Sequence, residues 1–178
     1  MSIWRQLPIV LIAAVALPAA TLEKLSLEQL ASKASLIVRG RVEGCSGEAV
    51  DRLIFTRCQL RVLETWKGGN GAEVTVYVPG GVLGGLRQSF SGAPQLASGQ
   101  EYVFFLWKSP SGRHQILGLS QGLFAVQSLG LGQPVAARPA ASEPMVNAAG
   151  QPVSDAPLEL ALSELKRLVQ RSLAKEQQ

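Results

Sequence analysis

The chain has 178 residues, which is enough for one domain of ordinary size with a leader and a tail but tight for two domains. Hydrophobic residues make up 47% of the chain and charged residues 17%, and this balance excludes disorder throughout. The formal net charge is +4, and the basic residues are scattered rather than clustered. The charge therefore favours solubility over binding of a polyanion.

Residues 1–20 are typical of a secretory signal peptide. Arg5 supplies a positive charge, residues 7–17 are almost unbroken apolar, and residues 18–20 end in small residues suited to cleavage. The apolar run is shorter than the ~20 residues that span a bilayer, and a lipid anchor would need a cysteine at the cleavage site, whereas the first cysteine is Cys45. We expect an exported, periplasmic or extracellular protein with no membrane attachment after cleavage. Without the leader the chain carries 16 basic and 13 acidic residues, a net charge of +3.

The two cysteines, Cys45 and Cys58, are predicted to form a disulfide, because oxidising compartments let such bonds persist. With a single histidine, His114, they fall short of a closed zinc site, and their separation of thirteen positions does not fit a redox motif. No metal site and no cofactor is predicted. Closing this short loop should stabilise the fold by about 3 kcal/mol.

The chain after the leader is predicted to be mainly β, with a helix near each end. Ser26 and Gln29 have capping-box spacing and predict a short helix over 27–34. Gly40 should mark a bend or bulge, and residues 44–51 a turn. Alternating apolar residues between turn residues predict strands over 36–43, 53–66, 73–78, 86–90, 101–108, 113–117 and 123–127. Their meander order and the long second strand predict a small antiparallel OB-like barrel of five or six strands over residues 21–127.

The C-terminal part divides into two segments. Residues 128–157 are rich in Ala, Pro, Gly and Ser and predict a loosely held arm or linker. Residues 158–175 predict an amphipathic helix, whose apolar stripe is Leu158, Leu162, Leu165, Val169 and Leu173. We expect this helix to pack on its own domain; pairing with a partner helix and lying on a membrane surface are the alternatives.

Three runs of sequence carry a resemblance to known proteins: ASLIVRGRV at 34–42, LRVLETWKG at 60–68 and VYVPGG at 76–81. The chain resembles uncharacterised secreted bacterial small β-barrel proteins over about residues 24–127. More remotely it is similar to the OB-type barrel of tissue inhibitors of metalloproteases and other netrin-like modules. Such inhibitors bind the protease zinc through an amino-terminal cysteine. The expected mature start near Thr21 has none, so the resemblance does not carry an inhibitory function to this chain.

Two motifs that suggest chemistry are interpreted as turns. The run of six residues from Gly80 to Gly85 lacks the Lys-Ser/Thr of a phosphate-binding loop. Residues 118–122 match Gly-x-Ser-x-Gly around Ser120, but this turn is predicted to join two strands, whereas a nucleophile elbow joins a strand to a helix. A hydrolase using Ser120 with His114 is kept as an alternative, and the main prediction is a protein without catalytic activity.

The predicted contact surface combines an arginine-bearing sheet face with the glycine-rich loop over 79–100. Its residues are Arg39, Arg41, Arg57, Arg61, Tyr77, Gly80, Gly81, Gly84 and Gly85. Export disfavours a nucleic acid as the partner, although OB barrels often bind one, and the arginines are expected to pair with carboxylates such as Glu43 across strands. Glu43, Glu48 and Asp51 are interpreted as hydrophilic turn residues.

We therefore expect a secreted module that binds an unidentified protein, and an association with a secreted protease is one form of this hypothesis. An envelope structural protein that oligomerises through its C-terminal helix is the remaining alternative.

Overall fold

The structure is a computed structural model and describes residues 21–69, 71–128 and 132–176. The predicted signal peptide, residues 1–20, lies outside the described residues. The fold is mainly β with two helices, as predicted. Its elements in chain order are β1 (Leu22–Glu23), α1 (Leu27–Lys33), β2 (Leu36–Val50), β3 (Leu53–Lys67), β4 (Glu73–Pro79), β5 (Gly81–Leu83), β6 (Leu86–Gln88), β7 (Glu101–Lys108), β8 (His114–Ile116), β9 (Leu123–Gln127), β10 (Val135–Arg138), β11 (Met145–Val146), β12 (Pro152–Val153), β13 (Leu158–Ala161) and α2 (Leu162–Glu176). Among these, no helix is long and apolar enough to cross a membrane.

Eight strands form the main sheet, in the order β13–β10–β9–β7–β2–β3–β4–β8. Strand β8 also pairs with β7, so hydrogen-bonded pairings connect β2, β3, β4, β8 and β7 in a closed ring. All pairings of the ring are antiparallel except β4 with β8, which is parallel. The edge of β7 that faces away from β2 is shared, because its first half pairs with β9 and its second half with β8. The sheet therefore branches at β7.

Strands β2 and β3 have fifteen residues each and form one long hairpin. The predicted end of β2 at residue 43 is wrong: the strand continues to Val50, and only Asp51 and Arg52 form the turn. The segment after Glu43 is rich in poor strand formers, so its strand conformation depends on pairing with β3. A register shift at Gly40 confirms the bulge predicted there.

The predicted Cys45–Cys58 disulfide is confirmed. The two cysteines lie directly opposite each other on β2 and β3, with their Cα atoms 4.1 Å apart. The Cys58 side chain is buried in the core, whereas Cys45 is exposed. The bond thus joins the two strands within the half of β2 that the sequence predicted to be a turn.

Two apolar clusters lie on opposite faces of β7. Val103 and Phe105 pack with residues of α1 and α2, including Leu165 of α2. Phe104 and Leu106 point to the opposite face and belong to the second cluster. Every strand of the ring contributes residues to this cluster. Strand β7 is apolar on both faces, as its sequence predicted, because both faces are covered.

The two helices pack against each other on one side of the sheet. The predicted capping box of α1 is confirmed: the Gln29 N–H donates to Ser26 Oγ at 3.2 Å, and the Ser26 N–H donates to Gln29 Oε1 at 2.8 Å. Helix α2 buries Leu165 and Val169 in the core of its own domain, as predicted. Its predicted start at residue 158 is wrong, because Leu158–Ala161 forms β13 against β10.

Residues 132–157 differ from the loose arm or linker predicted for 128–157. They contain β10, which pairs with both β9 and β13, and the short strands β11 and β12. Strand β11 also pairs in parallel with β1, so this segment holds the N-terminal strand. The segment has few large apolar residues with which to pack. Backbone hydrogen bonds to neighbouring strands hold it in position instead.

A buried ion pair reinforces this segment. Arg138 Nη1 lies 2.5 Å from Asp155 Oδ2, Arg138 Nη2 lies 3.2 Å from Asp155 Oδ1, and the Ala141 N–H donates to Oδ2 at 2.8 Å. Burial opposes ionisation of Asp155, but the hydrogen bonds from Arg138 and Ala141 outweigh it and lower the pKa of the carboxyl to about 2. Lys24, just after β1, approaches the same carboxylate at 3.7 Å.

Candidate functional site

The four outward arginines lie on β2 and β3, as predicted, and each has a carboxylate partner. Their N–O distances range from 2.5 to 3.8 Å. The pairs are Arg39 and Arg41 with Glu101, Arg57 with Glu48, and Arg61 with Glu43. Glu43 and Glu48, interpreted from the sequence as turn residues, are strand residues of β2 and neutralise the arginines across the hairpin. The predicted arginine face is therefore not a stripe of free positive charge.

Tyr77 lies on β4 in a different local environment. The Arg113 guanidinium covers its ring, 5.5 Å from the ring centroid, and both residues line a shallow pocket with His114. Burial, and then the charge of Lys108, lower the pKa of His114 below its ordinary value. The pocket combines the cation of Arg113 and the ring of Tyr77 with the carboxylate of Glu73, so it carries no excess of positive charge.

Ser120 and His114 do not form the pair that a hydrolase would need. The turn around Ser120 joins β8 to β9, as predicted, and no hydrogen bond connects these two side chains, both of which the structure describes. The buried neighbour Gln121 accepts from the Leu25 N–H at 2.8 Å and donates to the Glu23 carbonyl at 3.0 Å. The turn thus anchors the N-terminal segment, a role that the sequence motif did not indicate.

Strands β5 and β6 form a separate hairpin within the loop predicted over 79–100. Leu83 pairs with Leu86 across a two-residue turn, Gly84 and Gly85, whose φ angles are 56° and 81°. This conformation favours glycine at both positions, so the interpretation of these glycines as turn residues is confirmed. The predicted strand over 86–90 ends at Gln88.

The hairpin is fixed closely against the long β2–β3 hairpin. A Cβ atom at Gly47 of β2 would lie 2.0 Å from the Val82 carbonyl oxygen, so only glycine permits this approach. On the β3 side, the Ile54 N–H donates to Gln88 Oε1 at 2.6 Å, and the Gly80 N–H donates to the Ile54 carbonyl at 2.8 Å. These contacts hold both strands of the short hairpin in place.

Large apolar side chains are exposed on this hairpin and beside it. Leu86 is 70% exposed, and the others are between 37% and 47% exposed. They are Leu53, Val82, Leu83, Leu86 and Phe90. Leu53 precedes Ile54, whose backbone hydrogen-bonds to the short hairpin. Within that hairpin Leu83 lies opposite Leu86 on one face, and Val82 lies opposite Arg87 on the other face. We call this group the apolar hairpin surface. A clustered set of exposed apolar residues is typical of an interaction site.

A cleft of about 370 Å³ opens beside the apolar hairpin surface. Its apolar lining includes Val78, Phe90 and Leu96, and Gly80 and Gly81 belong to its wall. Arg87 is the one charged residue in the lining. Nothing in the sequence distinguished Arg87 from the other arginines. The apolar residues Val82, Leu83 and Leu86 within a glycine-rich segment were the sequence signal for a contact site in this loop.

The structure thus distinguishes the two parts of the predicted contact surface. Each arginine of the arginine face forms an ion pair with one of three nearby carboxylates, whereas the hairpin carries uncovered apolar side chains beside a cleft. Within the three described ranges no group of three His, Cys, Asp or Glu residues comes together. Comparison with known proteins finds no protein-family model that matches the chain and no curated protein with significant similarity to it.

Proposed function

We propose that this chain is an exported, non-catalytic module that binds another protein through the apolar hairpin surface. The observation that carries the proposal is the exposure of Val82, Leu83 and Leu86 on a hairpin that close contacts hold in place, with Phe90 exposed directly after it. The predicted leader and the Cys45–Cys58 disulfide support export, because such bonds persist in oxidising compartments.

The energetics favour a covered state of this surface. Each Å² of apolar surface removed from water contributes about 25 cal/mol, and Leu86 alone is 70% exposed to water. Because the hairpin is already fixed by Gly47 and Gln88, a partner would not have to order it first. A preorganised, uncovered apolar surface is suited to binding a protein.

We also propose that the ring formed by β2, β3, β4, β8 and β7 is a small OB-like barrel. Three features support it: the first three strands form a meander, the fourth returns to pair with the first, and the fifth pairs in parallel with the third. This is the strand order of OB barrels. The apolar cluster built from all five strands fits the interior of such a barrel.

The two alternatives have less support. The hydrolase hypothesis needs contact between Ser120 and His114, and no hydrogen bond joins them. The envelope hypothesis needs a free apolar face on α2, whereas Leu162, Leu165 and Val169 are buried in the protein's own core. No contact in the described residues favours either alternative over protein binding.

Photo-crosslinking in the native host tests the proposal. A photoreactive residue at position 86 should yield a defined protein adduct, whereas the same residue at position 171, exposed on α2, should not. Unlabelled wild-type protein should compete the adduct away. Equal labelling at both positions, or no adduct at position 86, would contradict the proposed function.

A further inference from the structure

We infer that the cleft beside the apolar hairpin surface receives a short peptide segment of the partner, one that presents a carboxylate next to an apolar side chain. This inference rests on the proposed function and specifies the chemistry that the site recognises. The carboxylate is either an Asp or Glu side chain or a chain terminus, since both offer the same group.

The first argument is charge. The four outward arginines on β2 and β3 form ion pairs with three carboxylates, those of Glu43, Glu48 and Glu101. Arg87 is different: it is exposed at the rim of the cleft, and its guanidinium forms no ion pair or hydrogen bond with any residue in the described part of the chain. A guanidinium without a carboxylate partner beside an apolar cleft is suited to bidentate binding of a carboxylate.

The second argument is the composition of the cleft. Phe90, Leu96 and Val78 offer apolar contacts, while Ser89 and Gln95 line the same space. Neither of these two polar side chains has a hydrogen-bond partner among the described residues. They are available to hydrogen-bond a peptide backbone, as a few placed polar groups do in many binding sites.

The third argument is size and shape. A volume of about 370 Å³ is at the low end of the range of about 300–1,000 Å³ for small-ligand pockets. It accommodates one or two side chains rather than a folded domain, so the rest of the partner would contact the apolar hairpin surface outside it. A membrane is the competing occupant, because apolar hairpin tips can enter lipid. A concave cleft with uncommitted polar groups favours a peptide.

Binding of three synthetic octapeptide pools to the exported protein, measured by fluorescence polarisation, tests this inference. The first pool is amidated and contains Leu-Glu, the second has a free C-terminal Leu and no acidic side chain, and the third is amidated with Leu-Gln. The first or second pool should bind at least about tenfold more tightly than the third, and the tighter pool identifies the source of the carboxylate. Arg87→Gln should remove this preference, whereas Arg171→Gln, an equal charge change on exposed α2, should keep it.

The outcomes separate this inference from the proposed function. Equal binding of all three pools, no binding of any pool, or a preference that survives Arg87→Gln in a folded variant would overturn the inference. Binding of the protein to anionic phospholipid vesicles without binding of any peptide pool would overturn it in favour of a membrane. If crosslinking at position 86 succeeds while the peptide pools fail, the proposed function stands and only the recognition chemistry is wrong.

Discussion

The buried Arg138–Asp155 pair gives a sharp test of how the segment after β9 is held. Asp155→Asn keeps the shape of the side chain and removes its charge. The Asp155 side chain is 2% exposed and the Arg138 side chain 9% exposed, so the substitution leaves a guanidinium buried without its counter-ion. We expect the variant to fold and to lose stability in the region that joins β10, residues 139–141 and the N-terminal segment.

The expected magnitude follows from the pKa of Asp155. Lowering it from 3.8 to about 2 on folding corresponds to about 2 kcal/mol of stability at neutral pH. Breaking a buried pair from one side typically costs about 3–5 kcal/mol. We therefore expect Asp155→Asn to lower the free energy of unfolding by about 2–4 kcal/mol.

The pH dependence has a definite sign. Because folding lowers the pKa of Asp155, its stabilisation is complete above the unfolded value near 3.8 and is lost as the pH falls through about 2. Urea unfolding followed by circular dichroism should show the full difference between wild type and variant at pH 7 and a much smaller one near pH 2. Asp51→Asn, the same chemical change at an exposed turn, is the matched control and should change stability by less than about 0.5 kcal/mol. A loss below that limit for Asp155→Asn, or a difference that does not depend on pH, would refute the reasoning.

Two further predictions concern the long hairpin and what it supports. Reducing the Cys45–Cys58 disulfide of the wild type should lower the free energy of unfolding by about 2–3 kcal/mol, the loop-closure contribution of a short loop, and full stability in the reductant would contradict this. Replacing both cysteines with Ala should cost at least as much, because Cys58 is buried in the core. Gly47→Ala should displace the short hairpin, because the new Cβ would meet the β5 backbone at 2.0 Å, and hydrogen exchange at the β5 and β6 amides should rise. Gly44→Ala has nothing within 4 Å of the new atom and should leave that exchange unchanged.

The sequence correctly predicted those helices and strands whose conformation depends mainly on their own residues. Strands β7 and β9 match their predicted bounds, and β3 extends one residue beyond, because alternating or continuous apolar residues mark a strand that contacts a core. The capping box of α1 is equally local, since Ser26 and Gln29 satisfy each other's backbone groups.

The strands that the sequence did not predict owe their conformation to pairing with residues distant in the chain. The second half of β2 is glycine-rich and becomes a strand because β3 and the disulfide hold it there. Leu158–Ala161 has helical periodicity but pairs with β10, so tertiary contacts override the local preference. Residues 132–157 have too few large apolar residues to show a pattern, and their order depends on sheet edges and on Asp155.

At the candidate site, too, the sequence predicted the local features and missed those that depend on long-range contacts. The sequence indicated the glycine-rich loop as a contact region and placed turns at Gly84 and Gly85. It did not show that Arg87 lacks a partner while Arg39 and Arg61 have one, because ion pairing depends on which carboxylates the register of β2 and β3 brings near. The exposure of Leu86 likewise follows from the position of the hairpin rather than from its sequence.

The central claim is that the apolar hairpin surface binds the partner. The most direct test is the affinity of the crosslinked partner for wild type and for the Leu83→Ser/Leu86→Ser variant, measured by calorimetry. The exposed fractions of these two residues, 37% and 70%, add up to about one whole leucine, and burying one leucine side chain contributes about 1.5–3 kcal/mol. The account predicts that the Kd rises about tenfold to a hundredfold in a variant that keeps wild-type stability. An unchanged Kd in that folded variant would contradict it.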